Sequence, residues 1–137
     1  MSADYPSMTT AEIRSKFLNF FEERGLKLYP SSSLVPDDPS LLLANAGMNQ
    51  FKEYYQGKKT MKEIGAISCQ KCVRTNDIDC IGEDGRHLSF FEMLGDFSFG
   101  GVSKQQACAW AFELITKEFK LPLDRLYFTV FTEDDET

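Results

Sequence analysis

The sequence has a single histidine and a single tryptophan, and it has no glycine-rich phosphate loop. The glycine-cradled modes of holding a nucleotide are therefore excluded. No apolar stretch approaches the roughly 20 residues that span a bilayer, so no membrane helix is expected. Positive charge is not in excess either, with 15 Lys and Arg against 21 Asp and Glu and a formal net charge of -6. That balance excludes a surface that grips a nucleic-acid backbone by basic charge alone, while leaving room for a local basic pocket between Arg74 and Arg86. Cysteines number four (Cys69, Cys72, Cys80 and Cys108), and only Cys69 and Cys72 have the C-x2-C spacing. Structural zinc takes four ligands, usually as two pairs, and along a strand Cys69 and Cys72 point to opposite faces. No metal site is expected, and His87 reads as a hydrogen-bonded structural residue. Met1 to Met8 lacks the basic start and apolar middle of an export signal, which leaves reduced thiols and the cytoplasm as the expected setting.

What is present is a chain of 137 residues, 42% of them hydrophobic and 13% aromatic. It is long enough for one domain whose core is packed around rings. Thr9-Thr10-Ala11-Glu12 fits a capping box, and Ile13, Phe17, Phe20 and Phe21 follow at helical spacing. Gly25 stands where such a helix ends, so a helix is expected over residues 10–24. Leu26 to Tyr29 is a short strand candidate. Ser40 to Met48 is apolar and reads as a strand entering a bend, and Phe51 to Lys62 as a short helix with a basic loop. Ala66 to Arg74 and His87 to Phe97 read as two strands of a hairpin joined by a long polar loop. Ser103 with Gln106 marks a second helix start. Ala107, Trp110, Ala111, Leu114 and Ile115 form its expected buried face, running to about Lys117. Leu126 to Phe131 is rich in β-formers, and the tail from Thr132 to Thr137 is acidic. Helices and strands without βαβ alternation predict an α+β fold around an antiparallel sheet flanked by helices.

The hairpin is the candidate site. Alternation would place Arg86, Leu88, Phe90 and Glu92 on one face and His87, Ser89, Phe91 and Met93 on the other. An arginine closing the first strand, with Arg-x-x-x-Phe on the second, offers permanently charged planar donors and a ring for stacking. Such a platform suits a nucleotide. The same residues are also compatible with ordinary surface positions on a sheet.

The run from Arg86 to Gly100 (Arg-His-Leu-Ser-Phe-Phe-Glu-Met-Leu-Gly-Asp-Phe-Ser-Phe-Gly) resembles the second signature motif of alanyl-tRNA synthetases. Asn45-Ala46-Gly47-Met48-Asn49-Gln50-Phe51 resembles another stretch of that family, and Ser31-Ser32-Ser33-Leu34-Val35-Pro36 resembles its first motif. The blocks stand in family order, from about Thr9 to the acidic tail. The resemblance implies a class II synthetase fold, with residues 1–8 as a polar lead-in. Residues 9–137 would be the N-terminal part of the catalytic domain, bearing the first and second motifs without the third. It implies ATP-dependent activation of alanine to alanyl-adenylate and transfer to tRNA(Ala), with Mg2+ accompanying ATP. Carried over, Arg74 is the catalytic residue that holds the α-phosphate and the alanine carboxylate. Arg86 approaches the outer phosphates, Phe90 stacks on adenine, and Met48 lines the alanine pocket, although core packing is an alternative reading of Met48. Phe91 is the alternative ring, and alternation with Arg86 favours Phe90.

Departures from the family pattern are specific. Many members carry Gly-Gly-Lys-His-Asn after the motif arginine, where this sequence has Thr75-Asn76-Asp77, and the Asp-Tyr-Phe-Lys that usually follows Phe-Ser-Phe-Gly is replaced by Gly101-Val102-Ser103-Lys104. The missing third motif makes a non-catalytic relative, acting as a binding or regulatory module, the alternative to a ligase.

Overall fold

The computed structural model describes residues 7–76 and 78–134. Of the expected polar lead-in, residues 1–6 lie outside the described residues, as do Asp77 of the hairpin loop and residues 135–137 of the acidic tail. Helix α1 spans Thr10–Glu22. Its start is the expected capping box: the Thr9 hydroxyl accepts from the Glu12 N–H at 3.3 Å, while the Glu12 carboxylate accepts from the Thr9 N–H at 2.7 Å. Its end is set by Gly25, whose φ of +87° is left-handed and favours glycine. This turn lets the Gly25 N–H reach the Glu22 carbonyl and the Leu26 N–H reach that of Phe21, the paired bonds of a Schellman ending. Replacing Thr9 by alanine removes one reciprocal bond and is expected to cost about 1 kcal/mol. A thermal melt lowered by a few degrees is the check, and an unchanged melt would show that the cap contributes nothing.

Strand β1 is only Lys27–Leu28, and it runs parallel to β2, Gly65–Val73. Strand β3, Phe90–Ser98, pairs antiparallel with β2 from Gly65↔Ser98 to Val73↔Phe90. The sheet order is β1-β2-β3, so the sheet is mixed rather than wholly antiparallel, because the chain crosses over between β1 and β2. The α+β class stands.

Two aromatic layers sandwich this sheet. On one face Phe17, Phe20 and Phe21 of α1 pack with Leu26, Ile67 and Leu114, and Leu94 and Trp110 close around them. On the other face Phe51 is 1% exposed and touches the rings of Tyr29, Tyr54, Phe97 and Phe99. A 3-10 helix, Gly47–Phe51, carries Phe51, and the one-turn α2, Lys52–Tyr55, carries Tyr54.

Four expectations are corrected. Residues 40–48 form no strand: they run through turns, held by single bonds from Ala44 N–H to the Leu34 carbonyl and from Val73 N–H to the Ala44 carbonyl. Isolated bonds of this kind, interrupted at Asn45 and Gly47, cannot make a ladder. Residues 87–89 are outside β3, since Asp84 draws the Arg86 and His87 N–H groups into a turn. Helix α3 is capped by Ser103 and ends near Lys117 as expected, but only Lys104–Glu113 is regular α-helix and Leu114–Glu118 is a π-turn. The Thr116 hydroxyl donates to the Phe112 carbonyl at 2.7 Å, a back-bond that competes with regular helix. Ala107 and Ala111 are exposed, so its buried contacts come from Trp110, Leu114 and Phe119. Residues 126–131 carry no regular secondary structure and pair with no strand among the described residues, and Tyr127 is 93% exposed. β-propensity without a neighbouring ladder does not make a strand.

Candidate functional site

Alternation along the hairpin assigns its faces. Ile67, Cys69, Lys71 and Val73 lie opposite Asp96, Leu94, Glu92 and Phe90, on the side of α1, where Glu92 meets Arg14 at 2.6 Å. That partner lowers the Glu92 pKa from its ordinary value. The other face carries Ala66, Ser68, Gln70 and Cys72 opposite Phe97, Gly95, Met93 and Phe91. It is covered by the 3-10 helix: the Gly47 N–H lies 3.1 Å from the Met93 sulfur. The Phe97 ring fills the place of the absent Gly95 side chain, where a Cβ would come within 2.5 Å of it. Cys69 and Cys72 thus face opposite sides, and burial pushes both thiols up, which keeps them protonated and unreactive at neutral pH.

Arg74 follows directly on β2. Its N–H donates to the Ser89 carbonyl at 2.8 Å, and its Nε donates to the Asn45 carbonyl at 3.0 Å. The guanidinium lies over the Phe91 ring, 5.2 Å from its centroid, within cation–π range. Two contacts therefore hold the side chain and one holds its backbone. Its two terminal nitrogens make no hydrogen bond or ion pair among the described residues. A guanidinium fixed at one edge and open at the other is built to receive a bidentate anion.

The expected site residues fall around this group unequally. Met48 stands in the 3-10 helix two residues after Asn45's neighbour Ala46 and is 46% exposed, so core packing does not account for it. Arg86 lies in the hairpin turn with an exposed side chain. Its backbone is fixed by Asp84, whose pKa falls to about 2 through bonds from the Arg86 and His87 N–H groups and the His87 ring. Phe90 is 53% exposed and lies opposite Val73, on the side of α1. The structure does not place it on Arg74's face. The alternation that joined Phe90 to Arg86 required β3 to extend back to residue 86, whereas β3 begins at Phe90.

Two participants were not singled out from sequence, the Asn45 carbonyl and Gln70, and Phe91 was weighed against Phe90 but not paired with Arg74. Backbone acceptors leave no mark in a sequence. Phe91 was legible only from register, since the residue after Val73 shares a face with the residue after Phe90. A polar residue in the apolar run of β2 was the available signal for Gln70.

A family model described as "tRNA synthetases class II (A)" matches residues 12–137. The chain belongs to this family. Among similar class II (A) synthetases is an "Alanine--tRNA ligase" of Synechocystis sp., 52% identical over 136 residues, covering 99% of this chain and 16% of the relative. A "chloroplastic/mitochondrial" alanine--tRNA ligase of Sorghum bicolor is 55% identical over 124 residues, 90% of this chain and 13% of the relative. One from Pseudothermotoga lettingae is 52% identical over 130 residues, 95% of this chain and 15% of the relative. The chain thus spans about one-sixth of the length of these synthetases, or less.

Proposed function

We propose that this chain supplies the Arg74 side of the alanine and ATP site of an alanine–tRNA ligase, with residues 9–137 as the N-terminal part of its catalytic domain. The observation that carries the reading is the half-anchored guanidinium: Nε on the Asn45 carbonyl, just before the 3-10 helix that bears Met48, the plane over Phe91, and the terminal nitrogens unbonded among the described residues. In the proposed first step an alanine carboxylate oxygen attacks the α-phosphorus of ATP. The bond to the bridging oxygen breaks and pyrophosphate leaves with its electron pair. Arg74 binds the carboxylate and α-phosphate oxygens and offsets the charge that builds on the phosphoryl oxygens. Arg86, exposed and without an ion-pair partner among the described residues, reaches toward the outer phosphates. In the second step a hydroxyl of the terminal adenosine of tRNA(Ala) attacks the alanyl carbonyl and AMP leaves. Cytoplasmic protein synthesis is the proposed setting. Among the described residues no helix is long and apolar enough to cross a membrane.

The resemblance also implies Mg2+. Among the described residues no group of three His, Cys, Asp or Glu side chains could hold a metal ion; Mg2+ would come with ATP, held chiefly by its phosphates, and no step is derived through it.

Binding of non-hydrolysable aminoacyl-sulfamoyl adenosines, measured by calorimetry on the chain, tests the proposal. The alanyl compound is expected to bind more tightly than the leucyl one, and equal affinities would overturn the alanine assignment. The two rings separate in the same assay. If adenine stacks on Arg74's face, Phe91→Ala weakens binding by about 1–3 kcal/mol, the usual worth of a base–aromatic stack, and Phe90→Ala leaves it nearly unchanged. The reverse result would return the stacking role to Phe90, as the resemblance implies.

A further inference from the structure

The middle of β2 holds two polar side chains in a place otherwise apolar. Ser68 is 0% exposed and its hydroxyl has no hydrogen-bond partner among the described residues, and Gln70 is 1% exposed and fully engaged. The Gln70 Oε1 accepts from the Ser32 N–H at 2.8 Å, the Ser32 hydroxyl at 3.1 Å and the Gln50 Nε2 at 3.1 Å. Its Nε2 donates to the Ser32 carbonyl at 3.2 Å and the Lys71 carbonyl at 2.8 Å. The orientation of the amide is forced, because Ser32 N–H can only donate and the two carbonyls can only accept. One buried amide thus ties together β2, the serine loop and the 3-10 helix.

These three segments frame the candidate site. Gln50 and Met48 belong to the same five-residue 3-10 helix, which has no side-chain cap of its own and is too short to hold its place by internal bonds. Arg74 is anchored through Ser89, Asn45 and Phe91, none of which is among the bonded partners of the Gln70 amide. We propose that Gln70 is a positioning residue that sets Met48 at a fixed distance from Arg74, and with it the depth of the amino-acid side of the site. This inference rests on the reading of Met48 and Arg74 given above. A buried amide suits this task better than an apolar side chain. Apolar contacts are non-directional and would let the short helix slide, whereas the Gln50 bond is directed at an amide that four other bonds hold in one orientation.

The test compares Gln70→Met with Ser68→Ala in the 137-residue chain. Methionine keeps the volume of β2's interior while deleting every bond of the amide. Ser68→Ala alters a side chain equally buried on the same face, but one that holds nothing. The readouts are the Met48 methyl and Arg74 Nε–H nuclear magnetic resonance signals of the free chain, followed by titration with alanyl-sulfamoyl adenosine. Gln70→Met is expected to shift or broaden the Met48 methyl signal, leave the Arg74 Nε–H signal in place, and weaken the analogue about tenfold, roughly the loss of one buried hydrogen bond. Ser68→Ala is expected to change none of these. Should Gln70→Met fail to fold, Gln50→Leu cuts the same link from the partly buried end and is expected to move the Met48 signal alone. An unmoved Met48 signal in a folded Gln70→Met or Gln50→Leu chain would overturn the inference and leave Gln70 a purely structural residue. Failure of the unaltered chain to bind the analogue would instead overturn the proposed function, with the Met48 signal still deciding whether Gln70 positions it.

Discussion

Arg74→Ala is expected to lower alanine-dependent ATP–pyrophosphate exchange by about 10²–10³-fold when this segment replaces its counterpart in the Synechocystis ligase. The magnitude is that of deleting one preorganised donor group from charge that develops in a transition state, about 3–4 kcal/mol. The physical basis is the anchoring of the side chain. Nε is committed to Asn45 and the ring of Phe91 supports the plane, so the terminal nitrogens are aimed before substrate arrives and need no reorganisation. Arg74→Lys is expected to recover little, because an ammonium can neither donate in parallel pairs nor lie flat on the ring. Folding is expected to survive both changes, since Arg74 is exposed and its N–H bond to Ser89 does not depend on the side chain. Exchange within a few-fold of the unaltered chimera would remove Arg74 from the reaction.

Phe51→Ala is expected to be the most destabilising single truncation on the side of the sheet that bears the site. The ring is 1% exposed and meets Phe97 at a centroid distance of 4.8 Å and Tyr29 at 5.4 Å. Removing it leaves a cavity between elements that cannot collapse together, because Phe97 is already fitted against Gly47 and Gly95. Phenylalanine-to-alanine changes in cores cost about 3–5 kcal/mol. For a chain of this size that corresponds to a melting temperature lowered by on the order of 10–20 °C. The loss should also loosen the 3-10 helix, since Phe51 is its last residue, so Met48 would be released even below the melt. A change of less than about 1 kcal/mol in chemical denaturation would show that the two aromatic layers are not both needed for stability.

The two predictions draw on different levels of information. Arg74 was legible as a candidate because an arginine closing one strand of a hairpin, within blocks resembling a known family, is a chemical statement made by residue types in order. Likewise α1 was readable from its capping box, its phenylalanine stripe and Gly25, all of them local signals that need nothing from the rest of the chain. The β2–β3 pairing was readable for a similar reason: two apolar runs flank a polar loop, and connection through such a loop favours antiparallel neighbours.

What failed to be legible depended on partners distant in sequence. Residues 126–131 carry a strand's composition and make no strand here, because a ladder requires a second backbone and none of the described residues offers one. Residues 40–48 look like a strand until the bonds from Ala44 to Leu34 and from Val73 to Ala44 are seen to be single. That Phe91 and not Phe90 lies against Arg74 follows from the register and start of β3, and Asp84 holds the two N–H groups just before it in a turn. Local hydrogen bonding and hydrophobic periodicity are properties of a stretch of chain, so the sequence by itself determined the helix start, the hairpin, the α+β class and the motif arginine. Register, the face shared by Arg74 and Phe91, and the link from Gln70 through Gln50 to the helix of Met48 are relations between separated segments. They exist only once packing has chosen which of many compatible neighbours each segment meets.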